Sequence, residues 1–139
     1  MHELLRLAAE VAVSKNDTHR NFLLGAVAVR RDQAIVKSSN GSAYVPYPSA
    51  HAEARVCRKA GLGSTIYVAR IARKDGCLAL ARPCNGCWMI MRNHRVRKCY
   101  YTISETEYGI ITFGDGSFVE RIKKINKLIY GANNGNRNG

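Results

Sequence analysis

Residues 50–72, AHAEARVCRKAGLGSTIYVARIA, predict a helix that is followed closely by a buried strand. Ser49 is a suitable N-cap for this helix, and Gly61 is the residue type that commonly follows a helix C-terminus. Residues 65–72 are mostly apolar and rich in β-branched and aromatic side chains, as expected of a strand. A helix beside a buried strand favours a layered α/β sheet.

Helices and strands alternate along the rest of the chain. Apolar residues recur with helical spacing in the first segment, which ends near Lys15, and another helix is predicted at 84–94, after Pro83. A last amphipathic helix is predicted from Ser117 onward. Further strands are predicted at 24–31, 34–39, 77–81, 96–102 and 110–113, with a hairpin turn at 74–76. This order is typical of an α/β protein.

The composition indicates a basic globular domain. The chain has 139 residues, of which 46% are hydrophobic, and its net charge is +12. We place a single domain at 1–130 and a flexible polar tail at 131–139. No apolar run approaches the 18 residues of a membrane span and the first segment lacks the features of a secretory signal, so we expect a cytoplasmic protein without a membrane partner. The positive charge favours an anionic partner such as a nucleotide or a nucleic acid.

Three side chains form a candidate metal centre. Five cysteines are an odd number, and the pair Cys84-x-x-Cys87 favours thiolate chemistry over a disulfide framework. Residues at i and i+3 are neighbours on a helix face, so both sulfurs can bind one ion. With His51 they make the Cys2His set of a zinc site whose fourth position stays open to water. Zinc lowers the pKa of such a water towards 7.

Glu53 is the candidate proton-transfer group beside this centre. It lies two residues after His51, which is about 200° around an ideal helix. Glu53 is therefore poorly placed as a second ligand next to His51. It can transfer protons at the site only if the pocket wraps around the end of the helix.

A closed structural zinc site is the alternative, and it needs a fourth protein ligand. The candidates are Cys57, Cys77, His94 and Cys99. His94 lies seven residues after Cys87, about 10 Å along a helix, which is too far for the same ion. Cys57 points elsewhere on its own helix, whereas Cys77 and Cys99 remain open as candidates.

The motifs resemble those of a known family. His-x-Glu followed by Pro-Cys-x-x-Cys is the pattern of the zinc nucleobase deaminases. The chain resembles the cytidine and deoxycytidylate deaminase superfamily from about residue 22 to residue 101, and residues 24–42, LGAVAVRRDQAIVKSSNGS, are similar to the family's first hairpin. The resemblance implies a cytidine deaminase-like three-layer α/β/α sandwich with a five-stranded mixed sheet.

The resemblance also implies the roles of individual residues. His51, Cys84 and Cys87 would hold Zn²⁺, Glu53 would move protons, and Asn40 would contact the sugar or base of the substrate. By analogy, backbone groups around two further residues would bind the base edge, namely Ala52 and Arg82. Arg82 departs from the family, which often has a small or acidic residue before Pro-Cys. Tyr44 and Tyr47 are candidates for stacking on the substrate.

These roles predict hydrolytic deamination of a cytosine-containing nucleoside or nucleotide to its uracil form, with release of ammonia. The alternatives are a deaminase acting on cytosine or adenine within single-stranded DNA, RNA or tRNA, and a non-catalytic, zinc-stabilised module that binds nucleic acid. Homo-oligomers are common in this family, so a homo-oligomer is expected here.

Two basic clusters bear on the polynucleotide alternative. The first is Arg92, Arg95, Arg97 and Lys98, followed by Tyr100 and Tyr101, and the second is Arg121, Lys123, Lys124 and Lys127. Such residues can contact phosphates, and tyrosines can stack on unpaired bases. The competing interpretation is a solvated surface, with the two tyrosines alternating between core and exterior in a strand.

Overall fold

A computed structural model describes residues 2–14, 22–39 and 52–125. Its helices are α1 (His2–Ser14), α2 (Ala52–Ala60) and α3 (Asn85–Asn93). Its strands are β1 (Phe22–Val29), β2 (Ile35–Ser39), β3 (Thr65–Ala72), β4 (Leu78–Ala79), β5 (Lys98–Thr102), β6 (Glu107–Gly114) and β7 (Ser117–Lys124). The α/β class is therefore confirmed. No helix within the described ranges is long and apolar enough to cross a membrane.

The strands form one open mixed sheet in the order β2-β1-β3-β5-β6-β7, with β4 paired to the end of β3. The prediction of five strands is wrong, because the described residues supply seven. Strands β3 and β5 are parallel, whereas β1–β3, β5–β6 and β6–β7 pair antiparallel. The connection from β3 to β5 contains β4 and α3, and it is the crossover that a parallel pair requires.

The helices cover both faces of the sheet. On one face, residues of α2 and α3 pack with β1, β3, β5 and β6 in a core that includes Val56, Met91 and Tyr101. On the other face, α1 packs against β1 and β3 in a core that includes Leu5 and Val27. Since α2 and α3 share one face, their first turns can meet above the sheet.

Residues 117–124 form a strand, so the predicted last helix is wrong over these residues. Asp115-Gly116 turns the chain between β6 and β7, with Gly116 at φ +69°, a conformation that favours glycine. Phe118 and Ile122 fit a helical spacing, but they also fit the period-2 alternation of a strand. Pairing with β6 over eight residues decides between the two periods. Ile129, part of the same predicted helix face, lies outside the described residues.

Gly25→Ala is expected to destabilise the fold by about 1–3 kcal/mol, the usual cost of overpacking a core. A methyl group on Gly25 would lie 2.5 Å from the Ala12 amide nitrogen and closer still to the Ala8 carbonyl oxygen, so α1 would have to move off the sheet. Urea unfolding monitored by circular dichroism measures the change. Gly114→Ala is the control and should shift the free energy by less than about 0.5 kcal/mol. Equal stabilities for the two variants would contradict this packing.

Candidate metal centre

Cys84 and Cys87 lie at the N-terminal end of α3. Cys84 is the N-cap residue, with extended backbone at φ −71° and ψ 168°, and its side chain makes no capping hydrogen bond. Its carbonyl oxygen accepts a hydrogen bond from the Trp88 amide at 3.0 Å, so the helix begins directly after it. The Cys84 thiol is exposed and the Cys87 thiol is buried, and the two side chains are in hydrogen-bond contact. The predicted i, i+3 pair is therefore present at a helix end.

Glu53 lies in the first turn of α2 and is only 4% exposed. Its carboxyl group is in hydrogen-bond contact with the Cys87 side chain, which brings the first turns of α2 and α3 together. Burial raises the pKa of Glu53, and hydrogen bonds from its own backbone and from Cys87, with the charge of Arg70, oppose that rise. Glu53 and Cys87 are therefore neighbours, whereas the position of Glu53 relative to His51 lies outside the described residues.

One oxygen of the Glu53 carboxyl group is left without a partner. Oε1 is buried and accepts no hydrogen bond from residues 2–14, 22–39 or 52–125. A buried carboxyl oxygen ordinarily has a donor, a water or a cation beside it. Burial, followed by the charges of Glu53 and Cys84, also raises the pKa of Cys87. Thiolates are ligands that zinc favours, and a cation or the water it holds would supply the partner that Glu53 Oε1 lacks within the described residues.

The remaining cysteines occupy three different places. Burial, followed by the charge of Glu53, raises the pKa of Cys57 to about 12 and also raises the pKa of Cys99, so both thiols lie around the glutamate. Cys77 lies in the β3–β4 hairpin, where its amide donates to Asp75 Oδ1 at 3.0 Å. Within the described part of the chain, no group of three or more His, Cys, Asp or Glu residues is placed to hold a metal ion, and this holds for these cysteines as for Cys84 and Cys87.

Several predicted site residues lie outside the described residues: Asn40, Tyr44, Tyr47 and His51. His51 directly precedes Ala52, the first residue of α2. His94 lies at the other end of α3, where its Nδ1 is 2.9 Å from the Ile90 carbonyl oxygen.

The two described residues with predicted substrate contacts differ in their surroundings. Ala52 has its side chain in the core shared by α2 and α3. Because it opens the helix, its amide is one of those without a carbonyl partner inside the helix. Arg82 lies just before Pro83, and its guanidinium forms two hydrogen bonds to Glu120 of β7. The sequence did not indicate Glu120, because 117–124 were predicted to be helical.

The mixed sheet, with helices on both faces, defines the described part of the chain as an α/β domain in which the first turns of α2 and α3 meet. The family model for the cytidine and deoxycytidylate deaminase zinc-binding region matches residues 1–103. The match covers 103 of the 139 residues, and the chain therefore belongs to this family. Zn²⁺ is accordingly its cofactor. No individual curated protein matches the chain.

Proposed function

We propose that the protein is a zinc-dependent hydrolase that converts a cytosine-containing nucleoside or nucleotide to the uracil form. Membership of the deaminase family supports the class of reaction. The observation that carries the proposal is the buried Glu53 carboxyl group beside Cys87, with Oε1 unpaired within the described ranges. A carboxyl group in that position can act as base and as acid in one catalytic cycle.

We assign the metal to His51, Cys84 and Cys87. Three protein ligands leave one position for water or substrate, which is the arrangement of catalytic zinc sites. Zinc, when bound, would act as a Lewis acid and lower the pKa of water at the site. Cys87 is buried and Cys84 is exposed, so the centre would lie at the mouth of the site and not inside the core.

Glu53 would carry the protons of the reaction. It takes a proton from the attacking water and delivers it to the ring nitrogen, and then takes the proton of the new C4 hydroxyl group and passes it to the leaving amine. The C4–O bond forms before the C4–N bond breaks, and over the whole cycle one water is consumed and one ammonia is released. Glu53 ends the cycle in the protonation state in which it began.

Substrate contacts are proposed for five residues: Asn40, Tyr44, Tyr47, Ala52 and Arg82. The amide of Ala52, at the start of α2, is available to an acceptor on the base edge. For Arg82 we assign the contact to its backbone, because its guanidinium is already held by Glu120.

A substrate panel tests this function. Purified zinc-loaded protein is incubated with cytidine, cytidine nucleotides, single-stranded DNA, RNA and tRNA, and both ammonia and base identity are measured. Turnover of a free cytosine compound is the expected result. Turnover of polynucleotides alone would establish the second candidate below. No turnover of any substrate, with nucleic acid still bound, would favour a non-catalytic zinc module.

The second candidate, deamination within a polynucleotide, is favoured by one surface. Lys98 of β5 is paired with Thr112, while Arg121 and Lys123 of β7 are paired with Ile110 and Tyr108 of β6. By strand alternation the three basic side chains lie on one face of the sheet, and all three are exposed. Lys98 of the first basic cluster and Arg121 and Lys123 of the second thus share the α1 side of the sheet, opposite the face that carries α2 and α3.

Tyr100 lies on this surface, but its ring is already in contact with other tyrosine rings. Tyr100 stacks on Tyr67 with ring centroids 4.7 Å apart, and its ring also lies 6.4 Å from Tyr108. Tyr101 is buried on the opposite face, so the two tyrosines alternate as the competing interpretation expected. This surface would therefore bind a single-stranded nucleic acid through phosphate contacts and not through base stacking.

Replacing Lys98, Arg121 and Lys123 with glutamine should weaken single-stranded oligonucleotide binding by about tenfold or more at low salt. It should also flatten the plot of log K against log salt by about two, because each phosphate contact contributes about 0.7 to the slope. Fluorescence anisotropy at several salt concentrations measures both quantities. The control replaces Arg6, Lys37 and Lys74, which removes the same charge from other exposed positions. Equal losses in the two triple variants would mean that only net charge matters.

A further inference from the structure

The metal-ligand loop touches a part of the chain that the family match does not include. Residues 80–84 connect β4 to α3 and carry Arg82, Pro83 and Cys84. The match ends at residue 103, whereas β6 and β7 follow it. Glu120, in the middle of β7, nevertheless accepts a hydrogen bond from Arg82 of this loop, and Arg82 lies two residues before Cys84.

Glu120 binds Arg82 through both carboxylate oxygens. Arg82 Nε donates to Oε2 at 2.8 Å and Nη2 donates to Oε1 at 3.1 Å. Such a bidentate pair fixes the orientation of the guanidinium as well as its position. Arg82 lowers the pKa of Glu120, and Glu120 raises the pKa of Arg82, so both groups stay charged near neutral pH.

Glu120 is itself held in place by Tyr101 of β5. The Tyr101 hydroxyl donates a hydrogen bond to Glu120 Oε2. The ring of Tyr101 lies over Gly109 of β6, where a methyl group would collide with it. The lack of a side chain at Gly109 therefore allows the Tyr101 hydroxyl to contact Glu120. The carboxylate is therefore anchored to the buried part of the sheet before it contacts the loop.

The other side of Arg82 rests on α3. Its guanidinium carbon lies 4.9 Å from the centre of the Trp88 ring, which Phe118 and Phe113 contact edge-on at 4.6 and 5.7 Å. The loop backbone is also tied to β5, because the Ala81 amide donates to the Thr102 carbonyl at 2.8 Å. Arg82 is thus clamped between β7 and the helix that carries Cys87.

We propose that Glu120 is a positioning residue of the metal centre, which holds the Arg82–Cys84 segment in the geometry that binds zinc. The inference depends on the proposed role of Cys84 as a ligand. Partners that orient metal ligands typically change metal affinity by 10–100-fold when removed. Because Glu120 contacts Arg82 and not a proposed metal ligand, we expect a loss of zinc affinity at the lower end of this range.

The test measures zinc affinity of the full-length protein by competition with a chromophoric chelator. Glu120→Ala should weaken zinc binding by about tenfold. Glu120→Gln, which keeps the shape of the side chain, should show a smaller loss in the same direction. The charge-exchanged pair Arg82→Glu with Glu120→Arg should regain part of the affinity. Asp32→Ala is the matched control, because it removes the Arg30–Asp32 ion pair at a distant turn, and should leave zinc affinity unchanged.

Thermal unfolding of each variant separates positioning from simple support of the fold. Gly25→Ala should lower stability without changing zinc affinity. If Glu120→Ala lowers stability but keeps its zinc affinity within twofold, Glu120 is only structural and the proposal is wrong. If Glu120→Ala does not fold, the same decision rests on Glu120→Gln.

Cys84→Ser distinguishes this failure from failure of the proposed metal site. If Cys84→Ser loses zinc while the Glu120 variants bind it with full affinity, Cys84 is a ligand and only the positioning role of Glu120 is wrong. If Cys84→Ser binds zinc with full affinity, the assignment of Cys84 as a ligand is wrong, and so is the positioning role that depends on it.

Discussion

Replacing Glu53 with glutamine is expected to leave zinc bound and to lower kcat by about 10²–10⁴-fold, the usual contribution of a positioned general acid–base group. Glutamine has nearly the same size, so the core around this 4% exposed side chain should not change. An amide cannot take a proton from water and return it within the cycle. Ammonia release under saturating substrate measures kcat, and elemental analysis measures the zinc content.

Glu3→Gln provides the matched control for this experiment. Glu3 lies in the first turn of α1 and is exposed, so the same change should leave kcat within about twofold of the original protein. Comparable kcat values for Glu53→Gln and Glu3→Gln would exclude Glu53 as the proton carrier. Loss of zinc from Glu53→Gln would instead give the carboxyl group a role in metal binding.

Replacing Cys87 with serine is expected to remove zinc and, with it, all measurable turnover. Cys87 is fully buried and in contact with both Cys84 and Glu53, so no outside group can take over its position. A serine hydroxyl is a poor zinc ligand because it stays protonated where a cysteine becomes a thiolate. Zinc per chain after dialysis, followed by the deaminase assay, measures both losses.

Two other cysteine variants serve as controls and also test the closed structural site. Cys77→Ser changes a thiol in the β3–β4 hairpin, and Cys99→Ala changes a buried thiol near Glu53. Both variants should retain zinc. A loss of zinc from either one, equal to that in Cys87→Ser, would identify a fourth protein ligand and contradict an open site.

The sequence predicted well where local chemistry controls the structure. The helix before Gly61 and the strand at 65–72 were both predicted from residues that act on their own neighbours, and β3 has those bounds. Gly61 has φ +76°, which is the conformation for which glycine ends a helix. The Pro83-Cys84-x-x-Cys87 spacing likewise predicted two sulfurs at one helix end, since it depends only on helix geometry.

The predictions that were wrong depend on contacts between residues that are far apart in the sequence. SFVERIKK at 117–124 fits a helix and a strand about equally, and only pairing with β6 decides between them. With a helix assumed there, Glu120 could not be placed near Arg82, 38 residues earlier. The Asp115-Gly116 pair was the available signal, because it is a typical hairpin turn and lies between two stretches that each contain β-branched and aromatic residues.

The outermost position of β7 has a consequence for self-association. Within the described residues β7 pairs only with β6, so its other edge presents free backbone groups, and Phe118, Val119 and Ile122 are exposed along it. Long, apolar edge strands tend to recruit the same strand from another molecule. Arg121, Lys123 and Lys124 oppose this by placing like charges against each other in any such pair. Arg121 and Lys123, offered above as phosphate contacts, would thus also oppose edge-to-edge pairing, and neutralising them together with Lys124 should increase light scattering even without nucleic acid.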